Sequence, residues 1–282
     1  MSEKVRSLSA VFVGAVIAAT AALFMGAAFA KETATEVSAP TSGDVEKSIQ
    51  KAIDILSETA ERQTERVKEV LDIVKAQPKT AALSALCTSL KNDMPTKRRS
   101  AVYIIQMLTW ENPAPAFPPL RELLKNQEAT TRGMAAMALA SQGDTASYEA
   151  IVEMLKNDAD AYARRTAAWA VGELGDAKGV EPLRAAASDP DPNVAANANN
   201  ALDRIAFLLE NKGTTGDAAK VVRGIFLISG STLWQEERLQ HARSLIEGAD
   251  AAVREATLAQ ASKSQSQAIR NSVAFVRQPK KP

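Results

Sequence analysis

The sequence predicts an all-α protein, an α-solenoid of helix pairs with a long N-terminal helix and a degenerate helical C-terminal cap. Three observations support this class. Similar helical segments recur every 31 to 34 residues along the chain. Hydrophobic residues make up 46% of the chain, much of it alanine, while aromatic residues make up only 5%. Runs of Val, Ile and Thr with period-two alternation, which would indicate strands, are missing.

The repeat is clearest in its first helices, where Arg132 and Arg164 hold equivalent positions 32 residues apart. Ala195 stands at the next equivalent position, 31 residues further on. The first-helix segments are residues 131–139, 163–171 and 194–202. Their partner helices follow the same period at residues 120–126, 151–157 and 183–189. One such pair cannot bury its apolar face alone, so stacked pairs are expected to share a continuous core.

The residues between these segments fit the same interpretation. An earlier unit begins near Arg98, and its extra length falls in a proline-rich loop at residues 113–119. Pro182 falls in the first turn of a second helix, where its missing N–H costs nothing. The repeats are therefore expected over residues 78–210.

Residues 160–176, with the sequence DAYARRTAAWAVGELGD, resemble the HEAT repeat, and specifically the short form shared with phycobilin lyase subunits. The resemblance covers residues 95–205 and weakens in the third unit, where Ala195 replaces the expected arginine. It implies an α-solenoid that binds protein partners, with its second helices lining the concave side. It names no substrate.

Helices are also expected on both sides of the repeats. Apolar residues recur at three- and four-residue steps over residues 44–77, which predicts one long amphipathic helix ended by Pro78. Polar residues near Thr59 interrupt the stripe, so a bend or a break there is left open, and a coiled-coil seam is the minor alternative. About four further helices are expected in a cap at residues 211–276, before a basic tail at 277–282.

The N-terminus has the layout of a secretory signal peptide over residues 1–30. A short basic start precedes an uncharged run that ends in Ala28-Phe29-Ala30, and a small polar linker follows at residues 31–43. We expect cleavage after Ala30, export to a periplasmic or extracellular location, and then no stable membrane insertion. The alternative is an uncleaved anchor, because the apolar run is about twenty residues long.

The residue inventory favours no catalytic, cofactor or metal site. The chain has one histidine, His241, and one cysteine, Cys87, so the usual zinc and haem sites are not expected. Cys87 lies in an apolar helical stretch and is predicted to be a small buried core residue. Phosphate-binding glycine loops and a nucleophile elbow are both missing from the sequence.

Charge is nearly balanced, with 34 Lys and Arg against 33 Asp and Glu, which gives no reason to expect a nucleic-acid partner. Mixed charges at non-core positions of the second helices suit a protein partner instead. A merely solvated face is the alternative at each position. The candidate partner-binding residues are Arg121, Glu122, Lys125, Glu149, Glu153, Lys156 and Arg184.

Arginine recurs at one position of the first helices, at Arg98, Arg132 and Arg164, which together we call the arginine ladder. The ladder could grip an acidic partner. Its match to the period of the fold favours a structural role instead, with pairing to acidic residues such as Asp158, Asp160 and Asp176. Trp110 flanks a loop, where sequence does not distinguish an interface anchor from a buried residue.

These observations predict an exported, non-catalytic scaffold or adaptor that binds an unidentified protein partner on its concave face. One alternative is a lyase-like or chromophore-handling protein, which would need a deep pocket with acid–base groups. The other is a structural element of the cell envelope, tethered by an uncleaved N-terminus.

Overall fold

The structure is a computed structural model that describes residues 39–58, 64–231 and 235–278. Residues from Ser42 onward form a compact unit of their own. The predicted signal peptide with Ala28 and Ala30, most of the linker, and residues 279–282 of the tail lie outside the described residues. The interpretation of those segments stays a prediction.

The described residues contain fourteen α-helices and no strand, which confirms the all-α prediction. Short 3-10 turns at Ala114–Ala116, Thr145–Ser147 and Ala177–Gly179 lead into three of the helices. The helices are α1 Ser42–Glu58, α2 Thr64–Lys75, α3 Lys79–Ser89, α4 Pro95–Met107, α5 Phe117–Leu123, α6 Ala129–Ser141, α7 Tyr148–Asn157, α8 Ala161–Leu174, α9 Val180–Ala186, α10 Pro192–Glu210, α11 Gly216–Ser229, α12 Glu236–Glu247, α13 Ala251–Ala261 and α14 Gln267–Arg277.

Two layers of helices build the repeats. The first helices α4, α6, α8 and α10 pack side by side in chain order, and α1 packs on α4. The second helices α3, α5, α7 and α9 form the second-helix layer, in which α7 packs on α9 and α3 packs on the 3-10 turn before α5. The first helices are largely buried, with residues 100–107 of α4 buried without a break. This arrangement confirms the predicted α-solenoid.

Local sequence explains where the repeat helices begin and end. Asp160 accepts a hydrogen bond from the Tyr162 amide at the start of α8, and Gly175 ends that helix in the left-handed conformation with φ +68°. Asp191 caps α10 in the same way, followed by Pro192 at its first position. Asp160 and Asp191 thus begin the first helices of successive units, where the period predicted a boundary, and Gly175 marks the turn inside a unit.

The arginine ladder ties neighbouring units together. Arg132 donates two hydrogen bonds of 2.7 Å to the Asp158 carboxylate, and its Nη1 also donates to the carbonyl of Asn126. Arg164 repeats the pattern on Asp189, at 2.8 and 3.0 Å. Each arginine therefore connects the loop that precedes its own helix to the loop that precedes the first helix of the next unit. The ladder is structural, as its period favoured. Of the acidic partners expected from sequence only Asp158 pairs with it, because Asp160 and Asp176 cap helices instead.

Arg98 is the incomplete member of the ladder. It donates to the Asn92 carbonyl at 2.8 Å, but its Nε is buried without a hydrogen-bond partner among the described residues. Asn126 stands where Asp158 and Asp189 stand in the next two units, so the carboxylate is replaced by a neutral amide. The nearest carboxylate oxygen, from Glu128, lies 4.0 Å from Arg98 Nη2.

We expect the members of the ladder to differ in their contribution to stability. Arg132→Ala should lower the free energy of unfolding by about 2–3 kcal/mol, because it breaks a bidentate pair and strands a buried carboxylate. Arg98→Ala should cost only about 1 kcal/mol. Asn126→Asp should stabilise the protein by about 1 kcal/mol by completing the pair with Arg98. Urea denaturation of the three variants measures this order, and equal losses at Arg98 and Arg132 would contradict it.

The N-terminal helices differ from the single long helix expected over residues 44–77. The structure has α1 and α2 there, and the two pack against each other, which two halves of one straight helix could not do. Residues 59–63 lie outside the described residues. The polar residues near Thr59 fall between the two helices, at the point where the apolar stripe is interrupted.

Helices α11 to α14 form a cap with its own core. Val221, Ile225 and Ile228 of α11 are buried against α12 and the helices that follow. The cap region holds four helices in the described part of the chain, as many as the sequence suggested. Within residues 39–58, 64–231 and 235–278, no helix combines the length and the apolar character needed to cross a membrane.

Candidate partner-binding groove

A groove runs between α5 and α7 on the outer side of the second-helix layer, with a cavity volume of about 630 Å³. We call it the α5–α7 groove. Two neighbouring second helices and the turn before α7 form it. Its lining residues are Arg121, Glu122, Leu124, Lys125, Ala146, Ser147, Ala150, Glu153, Met154, Asn157 and Asp158.

Helical periodicity explains why α7 presents one face to this groove. Ile151 and Leu155 are buried in the core between the two layers. The groove side of the helix follows at steps of three and four residues, with Ala150, Glu153, Met154 and Asn157. Because Ala150 is small, it leaves room above the apolar side chains of Leu124 and Met154, which form the floor.

One end of the groove is held by an ion pair. Arg121 donates from Nε to Asp144 at 2.8 Å and from Nη2 to the other carboxylate oxygen. Ser147 donates to the same carboxylate. Burial on its own would raise the pKa of Asp144, but the hydrogen bonds from Arg121 and Ser147 outweigh it and hold that pKa below its usual value. Arg121 is therefore engaged within the protein and is not a free charge.

The other end of the groove is held by the arginine ladder. Asp158 lines the groove and receives the bidentate pair from Arg132. Burial would raise the pKa of Asp158, but the hydrogen bonds from Arg132 and the Asp160 amide, together with the charges of Arg132 and Arg164, outweigh that effect and lower the pKa. The charges of Asp158 and Arg121 are thus neutralised, and both ends of the groove are fixed by contacts between units.

Three charged side chains at the groove have no ion-pair partner among the described residues. Glu122 is exposed on α5, Lys125 is exposed in the turn just after that helix, and Glu153 is exposed on α7. Glu153 accepts only a hydrogen bond of 2.7 Å from the Asn157 amide. The groove therefore combines an apolar floor with charges that remain available to a partner.

The structure brings together four of the seven candidate partner-binding residues, namely Arg121, Glu122, Lys125 and Glu153. The other three do not line the groove. Glu149 and Lys156 are exposed elsewhere on α7. Arg184 lies on α9, where its Nε is 3.7 Å from Glu181. Partner binding by all seven stays a prediction.

A smaller groove, of about 340 Å³, lies between α3 and residues 110–115, and we call it the α3 groove. The Trp110 ring is buried, and its Nε1 donates to the Ile105 carbonyl at 3.0 Å. Cys87 also lines this groove and is half-buried rather than enclosed in the core, which corrects the sequence-based expectation. Position 87 lies on the side of α3 that lines the groove, so the sulfur is beside it. Partial burial raises the pKa of the thiol.

Sequence reasoning missed a buried ion network that joins the repeats to the cap. Glu173 of α8 accepts from Arg204 of α10 at 2.7 Å and from Arg238 of α12 at 2.6 Å. The side chains of Glu173 and Arg204 are each only 4% exposed. Burial would raise the pKa of Glu173, but the charges of Arg238 and Arg204 outweigh it and hold that pKa low. We call these three residues the Glu173 network.

Within residues 39–58, 64–231 and 235–278, no group of three or more His, Cys, Asp or Glu side chains is placed to hold a metal ion. His241 is exposed on α12. The side chains that line the α5–α7 groove offer apolar contact, hydrogen bonds and ionic contact.

Comparison with known protein families gives a match to HEAT repeats at residues 83–165 and 148–225, which together span half of the chain. The chain belongs to the HEAT-repeat family. Both helices that form the α5–α7 groove fall inside the matched residues of this HEAT-repeat protein. A comparison with curated proteins returned no match.

Solved structures that resemble this HEAT-repeat protein share little sequence with it. Human deoxyhypusine hydroxylase in complex with glycerol is 15% identical, with 82% of this chain and 95% of that chain covered and a TM-score of 0.36. A designed armadillo repeat protein in complex with the peptide (KR)4 is 16% identical, with 84% and 93% covered and a TM-score of 0.40. An engineered protein is 17% identical, with 77% and 93% covered and a TM-score of 0.38.

Proposed function

We propose that this HEAT-repeat protein is an exported, non-catalytic scaffold that binds a protein partner through a peptide segment seated in the α5–α7 groove. The observation that carries the proposal is the groove itself, where an apolar floor lies beside charged groups that have no ion-pair partner among the described residues. Ligand sites commonly combine an apolar surface with a few polar groups that fix orientation.

The construction of the groove supports a preformed site. Contacts between units fix both of its ends, through Arg121 with Asp144 and through Arg132 with Asp158. A rigid site costs less entropy when a peptide binds than one that must first become ordered. Its volume of about 630 Å³ accommodates one or two apolar side chains of a partner. Glu122, Lys125 and Glu153 would then select the partner and set its register.

Filling the groove tests the proposal. Random 16-residue peptides displayed on phage are selected against the full chain, and synthetic copies are measured by fluorescence polarisation. Ala150→Arg places a long charged side chain over the floor and should weaken binding at least 30-fold. Ala196→Arg, on an exposed position of α10, is the matched control and should leave affinity unchanged. Selection of no peptide, or binding that survives Ala150→Arg, would overturn the proposal.

Export rests on the sequence of residues 1–30. The intact mass of the protein isolated from the cells that make it naturally tests this part, because cleavage after Ala30 removes those thirty residues. A mass that includes them would favour a membrane-tethered envelope element. The same sample tests chromophore handling, since a bound tetrapyrrole would colour the protein and a peptide-binding scaffold is colourless.

A further inference from the structure

We propose that the Glu173 network and Arg223 of α11 together bind one doubly charged oxyanion, a phosphate or a phosphate ester. We call these four residues the joint site, because they lie where the repeats meet the cap. Three guanidinium groups surround one carboxylate there, since Glu173 accepts from Arg204 and Arg238 and the charge of Arg223 acts on Arg204. The joint site shares no residue with the lining of the α5–α7 groove.

The Phe226 ring places Arg223 beside the network. The guanidinium carbon of Arg204 lies 4.4 Å from the centre of this ring, and that of Arg223 lies 5.5 Å from it. The two groups are therefore no further apart than the sum of these distances. Burial lowers the pKa of Arg223 and outweighs the opposing charge of Glu173, while the charge of Arg238 lowers that pKa further.

The joint site has more positive charge than its own residues neutralise. Each complete member of the arginine ladder has a carboxylate of its own. At the joint, Glu173 is the one carboxylate among the described residues that raises the pKa of either Arg204 or Arg223. Two positive charges remain once Glu173 is counted. The C-terminus of α8 offsets only about half an elementary charge, so more than one positive charge stays uncompensated.

The enclosed cation cannot move away to relieve this repulsion. The Arg204 side chain is only 4% exposed, and Gly230 packs directly against it. A Cβ atom at position 230 would overlap Arg204 Nη2 and lie 2.6 Å from Glu173 Oε2. A buried charge is costly unless it is paired. An anion that enters the joint site should therefore stabilise the folded protein.

The hydrogen bonds of the site leave donors for such an anion. Arg204 and Arg238 are each fixed through Nε and Nη2, by Ser229 and Ser231 respectively and by their shared carboxylate. Arg223 is exposed and makes only its ring contact within the part of the chain that the structure describes. A guanidinium fork matches two phosphate oxygens. Phosphate suits the site better than one carboxylate, because it brings a charge of about −1.5 to −2 at neutral pH.

Calorimetric titration of the full chain with inorganic phosphate tests the proposal. The buffer is zwitterionic, and sodium chloride holds the ionic strength constant. Two or three charge-assisted hydrogen bonds predict a dissociation constant of about 1 mM or tighter. Propyl phosphate separates the two sources of the group. Binding of the ester shows that the site accepts a phosphate carried by a larger molecule, and binding of phosphate alone restricts it to the free ion.

A matched pair of arginine variants locates the site. Arg223→Gln removes the accessible guanidinium and should weaken phosphate binding at least tenfold. Arg243→Gln is the control, because Arg243 also belongs to the cap and lies over a phenylalanine ring, 4.3 Å from the centre of Phe275. This variant makes the same change of charge outside the joint site and should leave the affinity for phosphate unchanged.

Thermal unfolding supplies a second readout. Phosphate at about 20-fold its dissociation constant should raise the thermal midpoint of the wild-type protein and of Arg243→Gln by at least about 3 °C. The same concentration should raise the midpoint of Arg223→Gln by less than about 1 °C. Absence of binding heat, equal affinity in Arg223→Gln, or an equal midpoint shift with sodium chloride would overturn the proposal. None of these readouts involves peptide binding, so their failure leaves the α5–α7 groove as proposed.

Discussion

Glu173→Ala is expected to lower the free energy of unfolding by about 3–5 kcal/mol, because it leaves two guanidinium groups buried without their counterion. Glu173 accepts from Arg204 at 2.7 Å and from Arg238 at 2.6 Å, and the Arg204 side chain is almost fully enclosed. Arg204 also lies over the Phe226 ring at 4.4 Å, so it cannot turn to solvent without disrupting the cap. Urea denaturation followed by circular dichroism measures the loss.

The control is an exposed ion pair in the same region. Glu181→Ala removes the partner of Arg184, and both side chains are mostly exposed, so no measurable change is expected. A loss of less than about 1 kcal/mol for Glu173→Ala would show that water enters the network and that the charges are not buried in solution.

The same network makes stability depend on pH in a defined direction. The pKa of Glu173 in the folded protein is held below its usual value, so its contribution is complete above the unfolded pKa of about 4.3. The contribution is lost as the pH falls through the folded pKa. The stability difference between the wild-type protein and Glu173→Gln should therefore be largest at neutral pH and shrink in acid. A difference that grows in acid would contradict this sign.

Gly172→Val is expected to destabilise the protein by about 3 kcal/mol or more, because it forces α8 and α10 apart. A Cβ atom at position 172 would lie 2.5 Å from the Ala201 Cβ and 2.9 Å from the Ala201 Cα. The second contact is with backbone, so a change of rotamer cannot relieve it. The clash falls at the joint between the last clear repeat and the helix that leads into the cap.

A β-branched side chain also lowers helix propensity, so the effect of the clash needs a reference. Ala196→Val, on an exposed position of α10, should cost only about 0.5 kcal/mol. Differential scanning calorimetry should show a single unfolding transition for the control and a lowered or split transition for Gly172→Val. Equal thermal midpoints for the two variants would rule out the predicted close contact.

The repeat architecture was predictable because it is periodic in sequence. Arg132 and Arg164 recur at the interval of the units, and the structure places both in equivalent pairs with a carboxylate of the next unit. The second helices were predictable for the same reason, since apolar positions such as Ile151 and Leu155 repeat at helical spacing. Periodicity thus located the layers and the exposed positions from which the candidate site was drawn.

Features that depend on contacts between distant segments were not predictable in this way. Glu173 and Arg238 are 65 residues apart, and the second lies where the repeat pattern has faded. The pairing of Arg121 with Asp144 depends on the conformation of a turn, which leaves no periodic signal. The burial of Trp110 was also not predictable, because it involves a hydrogen bond to the Ile105 carbonyl that sequence spacing does not indicate.

The Glu173 network also restricts how the chain could grow by duplication. Arg204 follows Glu173 by 31 residues, the length of one unit in this region. A tandem copy of residues 158–188 would preserve both arginine pairs, because Asp158 of the copy would take the place of Asp189. It would, however, set Glu173 against its own duplicate in a buried site, where two carboxylates cannot both ionise. A single buried charge thus limits the copy number of units at this joint.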